Sequence, residues 1–155
     1  MTVSELLSLI ENLTSNPYTI IISAAELHDD EGLMHYNNRI RNEVLDLPGI
    51  YIWENIDNKA VLYIGMAGKV NQQGVMTMHS VRKRLQASRG KDPNTNRDVL
   101  TNRYIRNIMS EQNCQQLQMT ILHMQETQLP GFAEAILLNA FYQGNGILPL
   151  YNSAF

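Results

Sequence analysis

The chain has 155 residues, a length typical of one folded domain with a substantial core. It carries 12 Lys and Arg against 15 Asp and Glu, a net charge of −3, and one cysteine. A single cysteine excludes an internal disulfide and a structural zinc site built on two or more cysteines, so packing must stabilise the fold. The longest apolar run is shorter than the ~18 residues of a membrane span, and the first residues lack the pattern of a secretory signal. We therefore expect a cytoplasmic protein that does not enter the membrane.

The charges are unevenly distributed along the chain. Residues 1–57 hold ten acidic and two basic residues, residues 58–106 hold ten basic and two acidic, and residues 107–155 hold three acidic and no Lys or Arg. The basic segment could bind a polyanion such as nucleic acid, because basic side chains release counterions when they meet phosphates. It could equally be the solvated face of two helices. The acidic first third argues against simple DNA binding or indicates a surface that faces a protein partner.

Hydrophobic periodicity predicts an alternation of helices and strands. In chain order, the pattern predicts a helix over residues 4–13 with Ser4 as its N-cap, a strand over 18–23, a short helix near 36–45, a β-hairpin with strands over 50–53 and 61–64, a helix near 79–88, a turn over 92–96, a helix over 98–111, a strand over 117–124 and a helix over 132–142. A small antiparallel sheet covered by helices accommodates this order.

The register of the hairpin decides which of its side chains share a face. A turn centred on Asp57 places Tyr51 opposite Tyr63, and cross-strand partners project from the same face. A slip of one residue would place the two tyrosines on opposite faces. With the turn at Asp57, the aromatic face carries Tyr51, Trp53, Val61 and Tyr63, and the apolar face carries Ile50, Ile52, Leu62 and Ile64.

Charged residues at the borders of apolar helix faces are candidates for chemistry. The helix over 132–142 is apolar on nearly every side, and Glu134 is its only charged residue. A buried carboxylate must be protonated, paired with a basic group or bound to a cation, unless Glu134 merely interacts with the helix dipole from the first turn. On the helix near 79–88, Arg84 and Arg89 lie at opposite edges of the buried side, and helical geometry does not choose between them.

Five short motifs occur in an order that carries a family resemblance. They are Gly49-Ile50-Tyr51, Tyr63-Ile64-Gly65, Arg84-Leu85 on the following helix, Glu134 on a later helix, and Pro149-Leu150-Tyr151-Asn152. Together they resemble the GIY-YIG endonuclease superfamily. The resemblance implies an α+β domain over residues 48–155, with a three-stranded antiparallel sheet flanked by helices. We expect residues 1–47, which lie outside the resemblance, to form an N-terminal helical extension packed on this domain. An insertion between Met66 and Ser80 departs from the family pattern, so Arg82 is the alternative to Arg84 as the family's arginine.

The resemblance also implies a metal-dependent DNA endonuclease that hydrolyses phosphodiester bonds. In that reading Glu134 holds Mg²⁺ or Mn²⁺, and Arg84 neutralises the charge that develops on the phosphate. Tyr51 or Tyr63 helps to remove the proton of the attacking water, and the sequence does not say which of them is the base. Asn152 holds the site together by hydrogen bonds.

Other residues near these motifs receive lesser roles. Lys69 and His79 lie where some family members have an accessory base or a phosphate contact. The remaining histidines (His28, His35 and His123) and Cys114 are interpreted as structural. The residues predicted to contact DNA outside the catalytic set are Arg82, Lys83, Arg89, Lys91, Arg103 and Arg106.

Two alternatives belong to other functional classes. A catalytically idle nucleic-acid-binding or regulatory domain could retain the same fold. Residues 1–47 could instead make the chain a protein-interaction module that docks a partner or a second copy through its acidic surface. Among nucleases, the length fits a standalone enzyme, with restriction-type members as the nearest class because of the insertion.

Overall fold

The computed structural model describes residues 1–76 and 79–153. The described residues form, in chain order, α1 (Val3–Ser8), β1 (Tyr18–Ser23), a 3₁₀ helix (Ala24–Leu27), α2 (Asp30–Glu43), β2 (Gly49–Asn55), β3 (Ala60–Ala67), α3 (Val81–Gln86), β4 (Ser88–Lys91), β5 (Asp98–Leu100), α4 (Thr101–Glu111), β6 (Gln116–His123) and α5 (Pro130–Asn145). Within these ranges, every helix is too short or too polar to cross a membrane.

The main sheet has four antiparallel strands in the order β1-β6-β2-β3, one more than the family resemblance predicts. The additional strand is β1, which pairs with β6 from Tyr18 opposite Ile121 to Ser23 opposite Gln116. Its β-branched residues and alternating burial suit an edge strand with one buried face. The expectation of a helical extension over residues 1–47 is therefore incomplete, because this segment contributes a strand to the sheet.

Helices cover both faces of the sheet, so two apolar cores flank it. One core contains Tyr51, Trp53 and Leu62 from the hairpin together with residues of α2, α3 and α4. The other contains Ile50, Ile52, Val61 and Ile64, packed against residues of α1 and α5. Strand β2 is buried at all seven positions because it lies inside the sheet and is covered on both faces.

The predicted hairpin is present, but its register differs from the expected one. Trp53, rather than Tyr51, lies opposite Tyr63, and Tyr51 lies opposite Gly65. A bulge next to Trp53 leaves Leu62 without a cross-strand partner. The total shift at the tyrosines is two residues, which preserves the face that each one occupies, so Tyr51 and Tyr63 still share a side. The bulge exchanges the faces predicted for Val61 and Leu62.

The first two helices differ in extent from their predictions. Helix α1 is capped by Thr2 rather than Ser4, through a capping box with Glu5, and it ends at Ser8. Helix α2 starts at Asp30, well before the predicted start, because the Asp29 side chain accepts a hydrogen bond from a backbone N–H of the first turn. Local capping therefore sets both starts.

Residues 88–100 form a small two-stranded sheet where the sequence predicts helix ends. Strands β4 and β5 pair across the turn over residues 92–96, which was predicted. The helix predicted near 79–88 is consequently shortened to α3, and the helix predicted from residue 98 begins at Thr101. The β4–β5 hairpin lies between α3 and α4 in the chain. Arg89 is therefore on a strand and not on a helix.

Candidate active site

The glycines of the two triplet motifs are required by close approaches within the sheet. A Cβ on Gly49 would collide with the carbonyl oxygen of Leu122 on β6. A Cβ on Gly65 would lie 2.5 Å from Cε1 of Tyr63 and 2.6 Å from Cζ of Tyr51. Gly65 thus leaves the space in which both tyrosine rings lie.

The two tyrosines form a stacked pair with unequal access to solvent. Their ring centroids are 5.8 Å apart with an interplanar angle of 29°. Tyr51 is 0% exposed, and burial raises its pKa to about 12 although the positive charge of Arg89 lowers it. Tyr63 is partly exposed and lines the neighbouring cleft. Tyr63 is therefore the tyrosine that a bound molecule could reach.

A cleft of about 370 Å³ opens beside the edge strand β3. It adjoins a recess of about 350 Å³, and Tyr63, Arg84 and Glu134 line both. Lys69 and His79 line the recess, so the structure brings these two predicted accessory residues to the same site. Thr77 and Met78, inside the predicted insertion, lie outside the described residues. The cleft is lined by Tyr63, Arg84, Arg89, Tyr104, Glu134, Leu138, Tyr151, Asn152 and Ser153.

Glu134 presents a half-buried carboxylate to both parts of the cleft. Burial raises its pKa, and the charge of Arg84 offsets part of that effect. Because α5 begins at Pro130, Glu134 lies beyond the first helical turn, which removes the simple interaction with the helix N-terminus. Across residues 1–76 and 79–153, no hydrogen bond or ion pair engages this carboxylate.

The donor set around Glu134 fits a hard cation that is held mainly by water and substrate. In the described part of the chain, no group of three or more His, Cys, Asp and Glu side chains could hold a metal ion. Mg²⁺ characteristically uses one or two carboxylates and completes its coordination with water and phosphate oxygens. A carboxylate without a protein partner in a cleft is compatible with that mode, whereas a closed structural site is not.

Of the two candidate arginines on α3, Arg84 lies at the cleft. Its side chain is exposed and lines both the cleft and the recess. The Nε of Arg82 instead donates a hydrogen bond to the carbonyl oxygen of Val44 at 2.6 Å. Of the two arginines, Arg84 is therefore the one whose side chain faces the cleft.

Arg89, predicted as a DNA contact, hydrogen-bonds to both tyrosines of the site. Its Nη2 donates to the Tyr51 hydroxyl at 3.1 Å and its Nη1 donates to the Tyr63 hydroxyl at 3.3 Å. Its Nε donates to Oγ1 of Thr101 at 3.3 Å. The sequence predicts Arg89 at the edge of the buried side of a helix, as the counterpart of Arg84, whereas the structure places it on β4. The turn signal over 92–96 was the available indication of a hairpin.

Asn152 hydrogen-bonds to both backbone groups of Ile64 on β3. Its Oδ1 accepts from the backbone N–H of Ile64 at 2.9 Å, and its Nδ2 donates to the backbone carbonyl of the same residue at 2.7 Å. The neighbouring backbone N–H of Tyr151 donates to the carbonyl of Leu62 at 3.0 Å. The segment around Asn152 therefore satisfies the outer edge of β3 and forms one wall of the cleft.

The other basic residues predicted to contact DNA are dispersed over the surface. Lys91 pairs with Asp98 at 3.2 Å, Arg103 approaches Asp30 at 4.0 Å, and Arg106 lines a separate pocket. Of the six residues predicted to contact DNA, Arg89 is the one that lines the cleft in the described structure.

The residues interpreted as structural include two with well-defined partners. His123 is buried, its Nδ1 lies 3.2 Å from the Pro48 carbonyl, and its Nε2 lies 2.6 Å from the Tyr18 hydroxyl. The Cys114 thiol is buried and donates to the carbonyl of Gln116. Burial raises the pKa of Cys114 to about 11, which disfavours the reactive thiolate.

Comparisons of the chain with protein-family models, curated proteins and solved structures found no match. The chemistry of the cleft is therefore inferred from its own residues. These are a partly exposed tyrosine, an exposed arginine, a carboxylate that no other described residue engages, and an amide that fixes the edge strand.

Proposed function

We propose that the chain is a metal-dependent DNA endonuclease that hydrolyses phosphodiester bonds, the activity implied by its resemblance to the GIY-YIG superfamily. The observation that supports this proposal is the meeting of Tyr63, Arg84, Glu134 and Asn152 at one cleft. These residues come from β3, α3, α5 and the segment after α5, so their meeting depends on the fold and not on sequence proximity.

Glu134 is the residue that would hold Mg²⁺ or Mn²⁺. When bound, the ion would supply Lewis-acid stabilisation of the charge on the reacting phosphate. The half-buried position favours this role, because a carboxylate that is partly removed from water gains more from a cation than an exposed one.

Arg84 would bind the phosphate. Its guanidinium presents a planar set of N–H donors that matches two phosphate oxygens, and its exposure leaves those donors accessible from the cleft. Because the charge on the phosphate increases during hydrolysis, this contact would be stronger in the transition state than in the bound substrate.

Tyr63 would accept the proton of the attacking water in its phenolate form and return to the neutral phenol, since it is the tyrosine that lines the cleft. Tyr51 would not act as the base, because it has no exposed surface and its pKa of about 12 keeps its hydroxyl protonated. Its ring stacks against Tyr63 and would hold that ring in place. Asn152 would keep β3, and with it Tyr63, in place through the two hydrogen bonds to Ile64.

A catalytically idle nucleic-acid-binding domain is the second candidate. The observation that favours it is that the described residues contain no group of three or more His, Cys, Asp and Glu side chains that could hold a metal ion. Such a domain would bind DNA through Arg84 without cutting it.

Incubation of the protein with supercoiled plasmid in Mg²⁺, in Mn²⁺ and in EDTA tests the proposal. We expect metal-dependent nicking or linearisation, and nicks that DNA ligase reseals, because departure of the 3′ oxygen leaves a 3′ hydroxyl and a 5′ phosphate. Nicks that ligase cannot reseal would contradict the chemistry. Salt-sensitive binding without cleavage in either metal would favour the second candidate.

A further inference from the structure

Arg89 is a largely buried cation whose charge has no carboxylate partner in the described structure. Its Cζ lies 5.1 Å from the ring centroid of Trp53 and 5.2 Å from that of Tyr63. The rings of Tyr51 and Tyr104 follow at 5.8 and 5.7 Å. Buried charges are normally paired, so a guanidinium held by rings and hydroxyls alone is available to stabilise a negative charge that forms beside it.

The hydrogen bonds of Arg89 indicate where that charge would form. Three of its five N–H donors are used, two of them by the hydroxyl oxygens of Tyr51 and Tyr63. Since a guanidinium can only donate, each tyrosine oxygen accepts, and the hydroxyl proton of Tyr63 points away from Arg89. A phenolate at Tyr63 would keep this hydrogen bond and strengthen it by adding charge.

We propose that Arg89 is a positioning residue that holds the Tyr51 and Tyr63 hydroxyls in one hydrogen-bonded unit and stabilises the phenolate of Tyr63. Ionisation breaks the O–H bond of Tyr63, leaves the electron pair on oxygen and releases the proton to solvent. Within the proposed nuclease, on which the catalytic part of this inference rests, the phenolate then takes a proton from the attacking water. Tyr51 cannot replace Tyr63, because it has no exposed surface.

Other charged or titratable groups also face Tyr63, and the experiment must separate Arg89 from them. Tyr51 faces it from β2, Arg84 from α3, Tyr104 from α4 and Glu134 from α5. Lys69 and His79 line the adjoining recess. Arg89 is distinguished from these groups by its hydrogen bond to the Tyr63 hydroxyl at 3.3 Å.

The test compares Arg89→Met, Arg89→Lys and a control, Arg97→Met, which removes an exposed arginine near the end of the same hairpin. Ultraviolet titration of the metal-free protein follows tyrosinate formation, and a Tyr63→Phe partner in each background isolates Tyr63. We expect the Tyr63 transition to move to higher pH in Arg89→Met, because the phenolate loses the guanidinium that hydrogen-bonds to its oxygen. It should move less in Arg89→Lys, which keeps the charge but cannot hold both hydroxyls, and stay unchanged in Arg97→Met.

Cleavage kinetics provide the second measurement. In the proposed nuclease, Arg89→Met should lower kcat at least ~100-fold with little change in KM, and its pH–rate profile should shift in the same direction as the titration. A protein that cleaves DNA but whose Tyr63 titration is the same in parent, Arg89→Met and Arg89→Lys would overturn the inference. A titration shift in a parent that never cleaves DNA would leave the Arg89 role standing and refute the proposed function. If Arg89→Met fails to fold, as judged by Trp53 fluorescence, Arg89→Lys decides by the same criteria.

Discussion

Gly65 lies opposite Tyr51 in the hairpin, in the space that the two tyrosine rings share. In Gly65→Ala, the new Cβ would be 2.5 Å from a ring carbon of Tyr63 and 2.7 Å from the hydroxyl oxygen of Tyr51. Ordinary van der Waals contact begins at 3.4 Å, so both rings must move. Tyr51 is fully buried and cannot retreat without displacing its neighbours.

The expected cost follows from two opposing effects. Overpacking of a well-packed core costs about 1–3 kcal/mol, whereas replacing glycine with alanine gains about 0.4–1 kcal/mol by restricting the unfolded chain. The midpoints of these ranges, about 2 and ~0.7 kcal/mol, leave a net destabilisation of about 1.3 kcal/mol, which lowers the Tm of a domain of this size by roughly 3–5 °C. The displaced Tyr63 should also lose its hydrogen bond with Arg89. In the proposed nuclease, the rate of DNA cleavage should therefore fall even at temperatures where the variant is fully folded.

Thermal and urea unfolding measure this effect, with Gly131→Ala as the matched control. A Cβ on Gly131 in α5 meets nothing within 4 Å, so the same substitution there should be neutral or stabilising by up to ~1 kcal/mol. If Gly65→Ala unfolds at or above the Tm of the parent, the steric explanation of this glycine is wrong.

Two further predictions concern stability. Asn152→Ala should lower the free energy of unfolding by about 1–3 kcal/mol, because both backbone groups of Ile64 lose their partner; equal urea midpoints for variant and parent would refute this. Burial lowers the pKa of His123 below its ordinary value of about 6.5. The unfolded chain therefore binds this proton more readily than the folded protein does. The free energy of unfolding should decrease as the pH falls below about 6.5. Urea unfolding between pH 8 and 5 should show a weaker pH dependence in His123→Gln than in the parent, while the exposed-site control His35→Gln keeps the parental slope; an unaltered slope in His123→Gln would contradict the assignment.

Much of the main sheet could be predicted from local pattern. The strand over residues 18–23 is confirmed at both ends, and the hairpin strands and β6 lie where β-branched and alternating residues indicate them. The pairing of β1 with β6 cannot be predicted from local pattern, because the two segments are about a hundred residues apart in the chain. The sequence also does not signal the bulge at Leu62, because a bulge depends on how the turn and the opposing strand fit together.

Site residues that belong to a motif could be predicted from the sequence, whereas residues placed by tertiary structure could not. Arg84, Glu134 and Asn152 were nominated by motif position, and the structure brings them to one cleft with Tyr63. Arg89 is predicted at the edge of the buried side of a helix, because β4 is short and contains Gly90, features that resemble a helix end. Its contacts with the tyrosines come from the β4–β5 hairpin, whose strands have little intrinsic β propensity.

If Glu134 holds the metal ion of the proposed nuclease, the rate of plasmid cleavage by Glu134→Gln should reveal it. The matched control is Glu126→Gln, which makes the same change at an exposed carboxylate in the turn before α5. We predict that Glu134→Gln reduces Mg²⁺-dependent cleavage at least ~100-fold at unchanged or higher stability, while Glu126→Gln cleaves like the parent. Cleavage by Glu134→Gln at the parental rate would contradict the claim.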